Sequence, residues 1–89
     1  MLNVIVNKQF KKDLKRSSKR GKDIDKIESV VNILQSGDSL EVRYRNHRLT
    51  GNWSDYWECH IEPDWLLIYR ITETDLILVR TGSHSDLFD

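Results

Sequence analysis

Three histidines, His47, His60 and His84, are the residues of this 89-residue chain best suited to proton chemistry near neutrality. His60 opens the run His60-Ile61-Glu62-Pro63-Asp64-Trp65, which gathers two carboxylates and a tryptophan around a proline, with Arg80 and His84 downstream. Metal-ligand spacing is missing. There is no Cys-x-x-Cys or His-Glu-x-x-His, and Cys59 and His60, adjacent in a strand, would project to opposite faces. No metal and no cofactor are therefore expected. Cys59 falls on the expected core face, where it would be a small hydrophobe rather than a nucleophile. General acid–base chemistry on a phosphodiester fits best. RNA carries its own nucleophile, the 2′-OH. Its cleavage needs a base for that proton, an acid for the leaving 5′ oxygen and a cation for the charge growing on the phosphoryl oxygens. Histidine suits both proton roles, arginine offers a bidentate fork, and Trp65 or Phe88 would stack an unpaired base.

The elements that must position these groups follow from the hydrophobic pattern. Leu2 to Val6 reads as a short strand, and Asn7 as the N-cap of a helix from Lys8 to about Arg20. That helix has only Phe10 and Leu14 to bury. Its Lys8, Lys11, Lys12, Lys15 and Lys19 form a continuous stripe in which Asp13 is the only acid. Gly21 ends it. A second helix follows, with Ile24, Ile27, Val30, Val31 and Leu34 on one face and Gly37 as its stop. Residues 38–52 are irregular and read as a short edge strand or, the favoured reading, a loop laid across the sheet. Three strands come next, Tyr56–Ile61, Trp65–Ile71 and Leu76–Thr81, with Pro63 setting the first hairpin turn. In the first of them Trp57, Cys59 and Ile61 point one way and His60 the other. Ser83 would cap a last helical turn docked by Leu87 and Phe88. The order β-α-α-β-β-β with a short C-terminal helix predicts an α+β fold, two helices on one face of an antiparallel sheet, in one small domain spanning residues 1–89.

Charge is zero overall but unevenly spread. Residues 1–50 carry twelve Lys/Arg against six Asp/Glu, and residues 51–89 carry two against eight. The basic half suits a polyanion such as nucleic acid, although a solvated helix face has the same composition. No apolar run approaches the roughly 20 residues of a membrane span. No signal peptide is visible, and the single cysteine fits a reducing cytoplasm, so no membrane partner is expected.

With these residues in place, the chain resembles the YafQ branch of the RelE superfamily, the ribosome-dependent mRNA interferase toxins of type II toxin–antitoxin modules. The similarity spans nearly the whole chain. It is densest in His60-Ile61-Glu62-Pro63-Asp64-Trp65, Leu67-Ile68-Tyr69, Arg80-Thr81-Gly82, His84 and Leu87-Phe88, and His47, Leu49 and Gly51 fit the loop before the strands. The resemblance implies a RelE-like fold. It implies acid–base roles for His47, His60, Asp64 and His84, phosphate neutralisation by Arg80, and site-lining aromatics at Trp65 and Phe88. It also implies metal-independent cleavage of mRNA in the ribosomal A site by the 2′-OH, ribosomal RNA contacts from the lysine stripe, and a cognate antitoxin. An alternative is a RelE-like module that blocks the ribosome without cutting. Asp64 can equally cap the turn after Pro63, and Trp65 can equally pack the sheet. The chain departs from the family pattern in ending on Asp89 rather than a small residue.

Overall fold

A computed structural model of the chain describes residues 1–88; Asp89 lies outside the described residues. Strand β1 (Asn3–Val6) is followed by helices α1 (Lys8–Lys19) and α2 (Ile24–Gln35). A two-residue strand β2 (His47–Arg48) lies between 3-10 turns at Val42–Tyr44 and Gly51–Trp53. Strands β3 (Trp57–Glu62), β4 (Trp65–Ile71) and β5 (Asp75–Gly82) and a short α3 (His84–Phe88) complete the chain. The expected α+β order is present. The irregular region takes the edge-strand reading rather than the favoured loop, joining as β2 a five-stranded sheet of order β1-β5-β4-β3-β2. Only β1 runs parallel to its neighbour, β5, because the two-helix crossover returns the chain to the far edge.

Helix starts are set where the sequence places them. The Asn7 side chain accepts the Phe10 N–H at 2.9 Å, and Asp23 accepts the Asp25 N–H at 3.0 Å. Ile27, Val30 and Leu34, at helical spacing on α2, pack with Phe10 of α1 onto Cys59, Ile61, Trp65, Leu67, Tyr69, Leu76 and Leu78 of the sheet. Each such side chain fully buried contributes about 1.5–3 kcal/mol. The other sheet face is buried only along its middle. Leu66 and Ile68 are inaccessible there yet stand apart from this core. The loop after β2 is tied to α3 by Trp53, whose ring meets Phe88 at 6.1 Å and Tyr56 at 5.4 Å, both edge to face. Among the described residues no helix is long and apolar enough to cross a membrane.

Candidate active site

Strand register assembles the site. Residues directly opposite in antiparallel strands share a face. His47 pairs with Glu58, Glu58 with Ile68, and Ile68 with Arg80, so these four form one row across β2, β3, β4 and β5 on the face away from the helices. At about 4.8 Å between strands, the row spans roughly 14 Å. The neighbouring row is His60, Leu66 and Gly82, and His84 follows two residues beyond. β2 is what brings His47 into register. It is held by the Leu49 N–H donating to Tyr56 O at 2.9 Å and Arg48 Nη2 donating to Ser54 O at 3.0 Å. Arg45, at φ 48°, takes the left-handed backbone that turns the chain into β2.

The three imidazoles share one arrangement. His47 Nδ1 lies 2.7 Å from the Arg45 carbonyl, His60 Nδ1 3.3 Å from the Pro63 carbonyl, and His84 Nδ1 2.7 Å from Asp64 Oδ1. Carbonyl and carboxylate oxygens only accept, so each Nδ1 carries the proton. Nε2 of each ring is then the atom left for proton transfer. His47 Nε2 and His60 Nε2 both stand 3.5 Å from Glu58 Oε1. Ring centroids are 6.4 Å apart for His47–His60 and 5.8 Å for His60–His84. His60, with its side chain 13% exposed, forms the floor, and His47 and His84 form the rim.

Asp64 holds His84 in place. Its Oδ1 accepts the His84 backbone N–H at 2.9 Å as well as Nδ1, and these bonds, the backbone one foremost, hold its carboxyl below the ordinary range. The base of α3 is fixed by a reciprocal cap: Ser83 Oγ accepts the Asp86 N–H at 3.1 Å, and Asp86 Oδ2 accepts the Ser83 N–H at 2.9 Å. Arg20 Nη1 donates to the same Oδ2 at 2.7 Å, and it is the main reason the Asp86 carboxyl is held well below the usual carboxylate range. Gly82 leaves the room needed, since a Cβ there would lie 2.9 Å from Asp86 Cβ. A pH dependence follows. Carboxyls depressed on folding stabilise fully above their unfolded value, about 3.9 for Asp, and lose that contribution as pH falls toward the folded value. Acid titration followed by amide NMR should therefore loosen α3 first below about pH 4, before the α2 core. Simultaneous loss of both would show that these carboxylates do not hold α3.

The remaining expected residues separate. Arg80 is held by α1: its Nε donates to Asp13 Oδ2 at 2.6 Å and its Nη2 to Asp13 Oδ1 at 3.2 Å. Phe88 is 43% exposed against Trp53, beside the site. Trp65 is 1% exposed within the core, its Nε1 donating to Thr81 Oγ1 at 2.9 Å. That position does not fit the base-stacking role expected of it, because Trp65 shares strand parity with Leu67 and Tyr69, which face the helices. The five lysines of α1 are all exposed, and among the described residues none of them makes an ion pair. Cys59 is inaccessible and its thiol is pushed up to about 12 by burial, so it is inert as a nucleophile.

Glu58, Asp13 and Trp53 were not legible as site residues. Glu58 shares His60's strand face, which was the available signal; Asp13 sits between Phe10 and Leu14 on the short apolar side of α1. The fold also creates a ligand set that spacing could not reveal. Glu58, His60 and His84 offer ligand atoms within 4.8 Å of one another, from two residues of β3 and the start of α3. Two imidazoles and a carboxylate suit zinc or copper.

The comparisons with known proteins agree with this fold. A family model described as the bacterial toxin of type II toxin–antitoxin systems, YafQ, matches residues 2–89. The mRNA interferase toxin YafQ of Escherichia coli K12 is 41% identical over 81 residues, covering 90% of this chain and 88% of that protein. The crystal structure of a copper-bound mutant toxin from Helicobacter pylori superposes with a TM-score of 0.96 at 38% identity, over 99% of this chain and 100% of that one. The E. coli DinJ–YafQ toxin–antitoxin complex gives a TM-score of 0.92 at 37% identity, over 99% and 98% of the two chains.

Proposed function

The chain belongs to the YafQ family of bacterial type II toxin–antitoxin toxins, and from that premise we propose that it is an endoribonuclease cutting mRNA in the ribosomal A site. Relatives named mRNA interferase support the enzyme class. The observation that carries the chemistry is the convergence of three Nδ1-anchored imidazoles around Glu58, with Arg80 in the same cross-strand row. A neutral Nε2 takes the 2′-OH proton, and the 2′ oxygen attacks phosphorus. The bond to the 5′ oxygen breaks, and a protonated imidazole supplies that oxygen with its proton. The products are a 2′,3′-cyclic phosphate and a 5′-OH. Arg80 neutralises the charge growing on the phosphoryl oxygens. RNA provides the nucleophile, so no metal enters these steps. An ion held by Glu58, His60 and His84 would occupy their proton-transfer positions, and would act there as an inhibitor.

Exposed Phe88, beside Trp53, is the surface on which an unpaired base stacks. The free lysines Lys8, Lys11, Lys12, Lys15 and Lys19 contact ribosomal RNA phosphates, so ribosome binding weakens steeply with salt. A cognate antitoxin silences the toxin, as the solved DinJ–YafQ complexes of the E. coli relative suggest. The toxin acts in the cytoplasm, where ribosomes translate. Induction in growing cells, followed by mapping of 5′ ends on a message, tests the reading. New ends within translated codons are expected. Growth arrest on intact messages would favour a module that blocks the ribosome without cutting.

A further inference from the structure

Asp13 touches none of the three imidazoles, yet it is 1% exposed at the centre of an otherwise basic helix. Its surroundings explain why an acid is kept there. β1 pairs with β5 only through Asp75–Leu78, so beyond Leu78 that edge of β5 is bare. The Thr81 N–H on this edge donates to Asp13 Oδ2 at 3.2 Å. The same oxygen accepts Arg80 Nε at 2.6 Å, while Oδ1 accepts Arg80 Nη2 at 3.2 Å and Gln9 Nε2 at 3.1 Å. Arg16 Nη2 lies 3.5 Å from Oδ1. The Ser17 hydroxyl donates to the Asp13 carbonyl at 3.1 Å, tying down the same turn of α1.

We infer that Asp13 is a positioning residue: its two-point grip on Arg80 sets the guanidinium plane and presents the unused N–H groups to the scissile phosphate. The inference rests on the phosphate role proposed for Arg80. A free arginine samples many rotamers, and fixing it before the phosphate arrives removes that reorganisation from the reaction barrier. The grip uses Nε and Nη2, which leaves Nη1 and the second Nη2 hydrogen for phosphoryl oxygens. Arg80 shares its cross-strand row with Glu58, so orientation at α1 is delivered to the face that carries the histidines. The buried side of the basic helix thereby aims the cation of the site, while its exposed side keeps the lysines.

The test measures single-turnover cleavage of a short mRNA on purified ribosomes, ribosome affinity and melting temperature for wild type, Asp13→Asn, Arg80→Gln and the double variant. Asparagine keeps the shape but loses the two-point grip. Asp13→Asn is expected to slow cleavage roughly 10–100-fold, with affinity within about twofold, since small misplacement of a reacting group has effects of this size. In the Arg80→Gln background it should slow cleavage no further, because residues that act as a unit are not additive. Equal slowing in both backgrounds would reduce Asp13 to a structural tether, and a wild-type rate would overturn the inference outright. Should Asp13→Asn not fold, Asp13→Glu keeps the charge and shifts the grip by a methylene. It is expected to slow cleavage while melting near wild type, and an unchanged rate would overturn the inference. Wild-type protein that leaves the message intact would instead sink the nuclease reading, and this inference with it.

Discussion

Replacing Arg80 with alanine is expected to slow cleavage of a ribosome-bound message by about 10²–10³-fold while ribosome affinity changes little. The loss is large because, in the proposed chemistry, the guanidinium acts on charge that develops only in the transition state, whereas ribosome binding is proposed to rest on the lysines of α1. The same substitution strips Asp13 of its strongest partner. Breaking a fully buried ion pair costs about 3–5 kcal/mol. Here the Arg80 side chain is 25% exposed and Asp13 keeps Thr81, Gln9 and Arg16, so about 2 kcal/mol is expected, less than for a fully buried pair. For a domain of this size that lowers the melting temperature by roughly 10 °C. Arg80→Lys should recover much of the stability and little of the rate, since an ammonium cannot hold Asp13 and a phosphate in one plane. Cleavage rates and thermal melts on the same preparations check both parts, and a fully active Arg80→Lys would argue against a bidentate role.

The second large effect concerns the imidazoles. His60→Ala and His84→Ala are each expected to reduce single-turnover cleavage by about 10²–10⁴-fold, with the double variant scarcely worse than either. Near-additive losses would mean that the two rings do not serve one proton relay. Asp64→Asn should cost less, about tenfold, because it leaves the His84 ring present but less firmly held. Asp64 is 67% exposed on its side chain, so its worth lies in orientation rather than in a buried charge. Rate measurements across pH 5–9 separate these roles: loss of a proton-transfer group removes one limb of the profile, whereas loss of an orienting carboxylate lowers the profile as a whole.

Much of this organisation is legible in the sequence because it is carried by short-range periodicity. Ile27, Val30 and Leu34 announce a helix face, and Trp57, Cys59 and Ile61 announce a strand face whose other side must carry His60. Pro63 marks the hairpin that places Asp64 near His84. β2 is readable only as one of two alternatives, since two residues are too few to show alternation and its register depends on a backbone bond to Tyr56 and a side-chain bond to Ser54. Asp13 resembles charge relief in a basic stripe until the bare edge of β5 is known. Glu58 is visible as a neighbour of His60 on alternate parity, but its contact with His47 needs the β2–β3 register. Trp65 is the opposite case. Its motif suggests a site aromatic, and its parity with Leu67 and Tyr69 assigns it to the core.

The metal question is likewise tertiary. Cys59 and His60 cannot share an ion, yet Glu58, His60 and His84 converge from separate elements into one ligand set. Under the proposed chemistry an RNA phosphodiester and a transition-metal ion would compete for this corner of the site.

The 2′-OH at the cut site is the feature on which the proposed chemistry turns. A message on purified ribosomes, identical except for a single 2′-deoxy nucleotide at the mapped cleavage position, isolates it. The all-RNA message is expected to yield a fragment with a 5′-OH and its partner with a 2′,3′-cyclic phosphate, and the 2′-deoxy message is expected to remain intact at that position. Cleavage of the 2′-deoxy message, or 5′-phosphate ends on the RNA products, would contradict the proposal, because either requires a nucleophile other than the RNA itself.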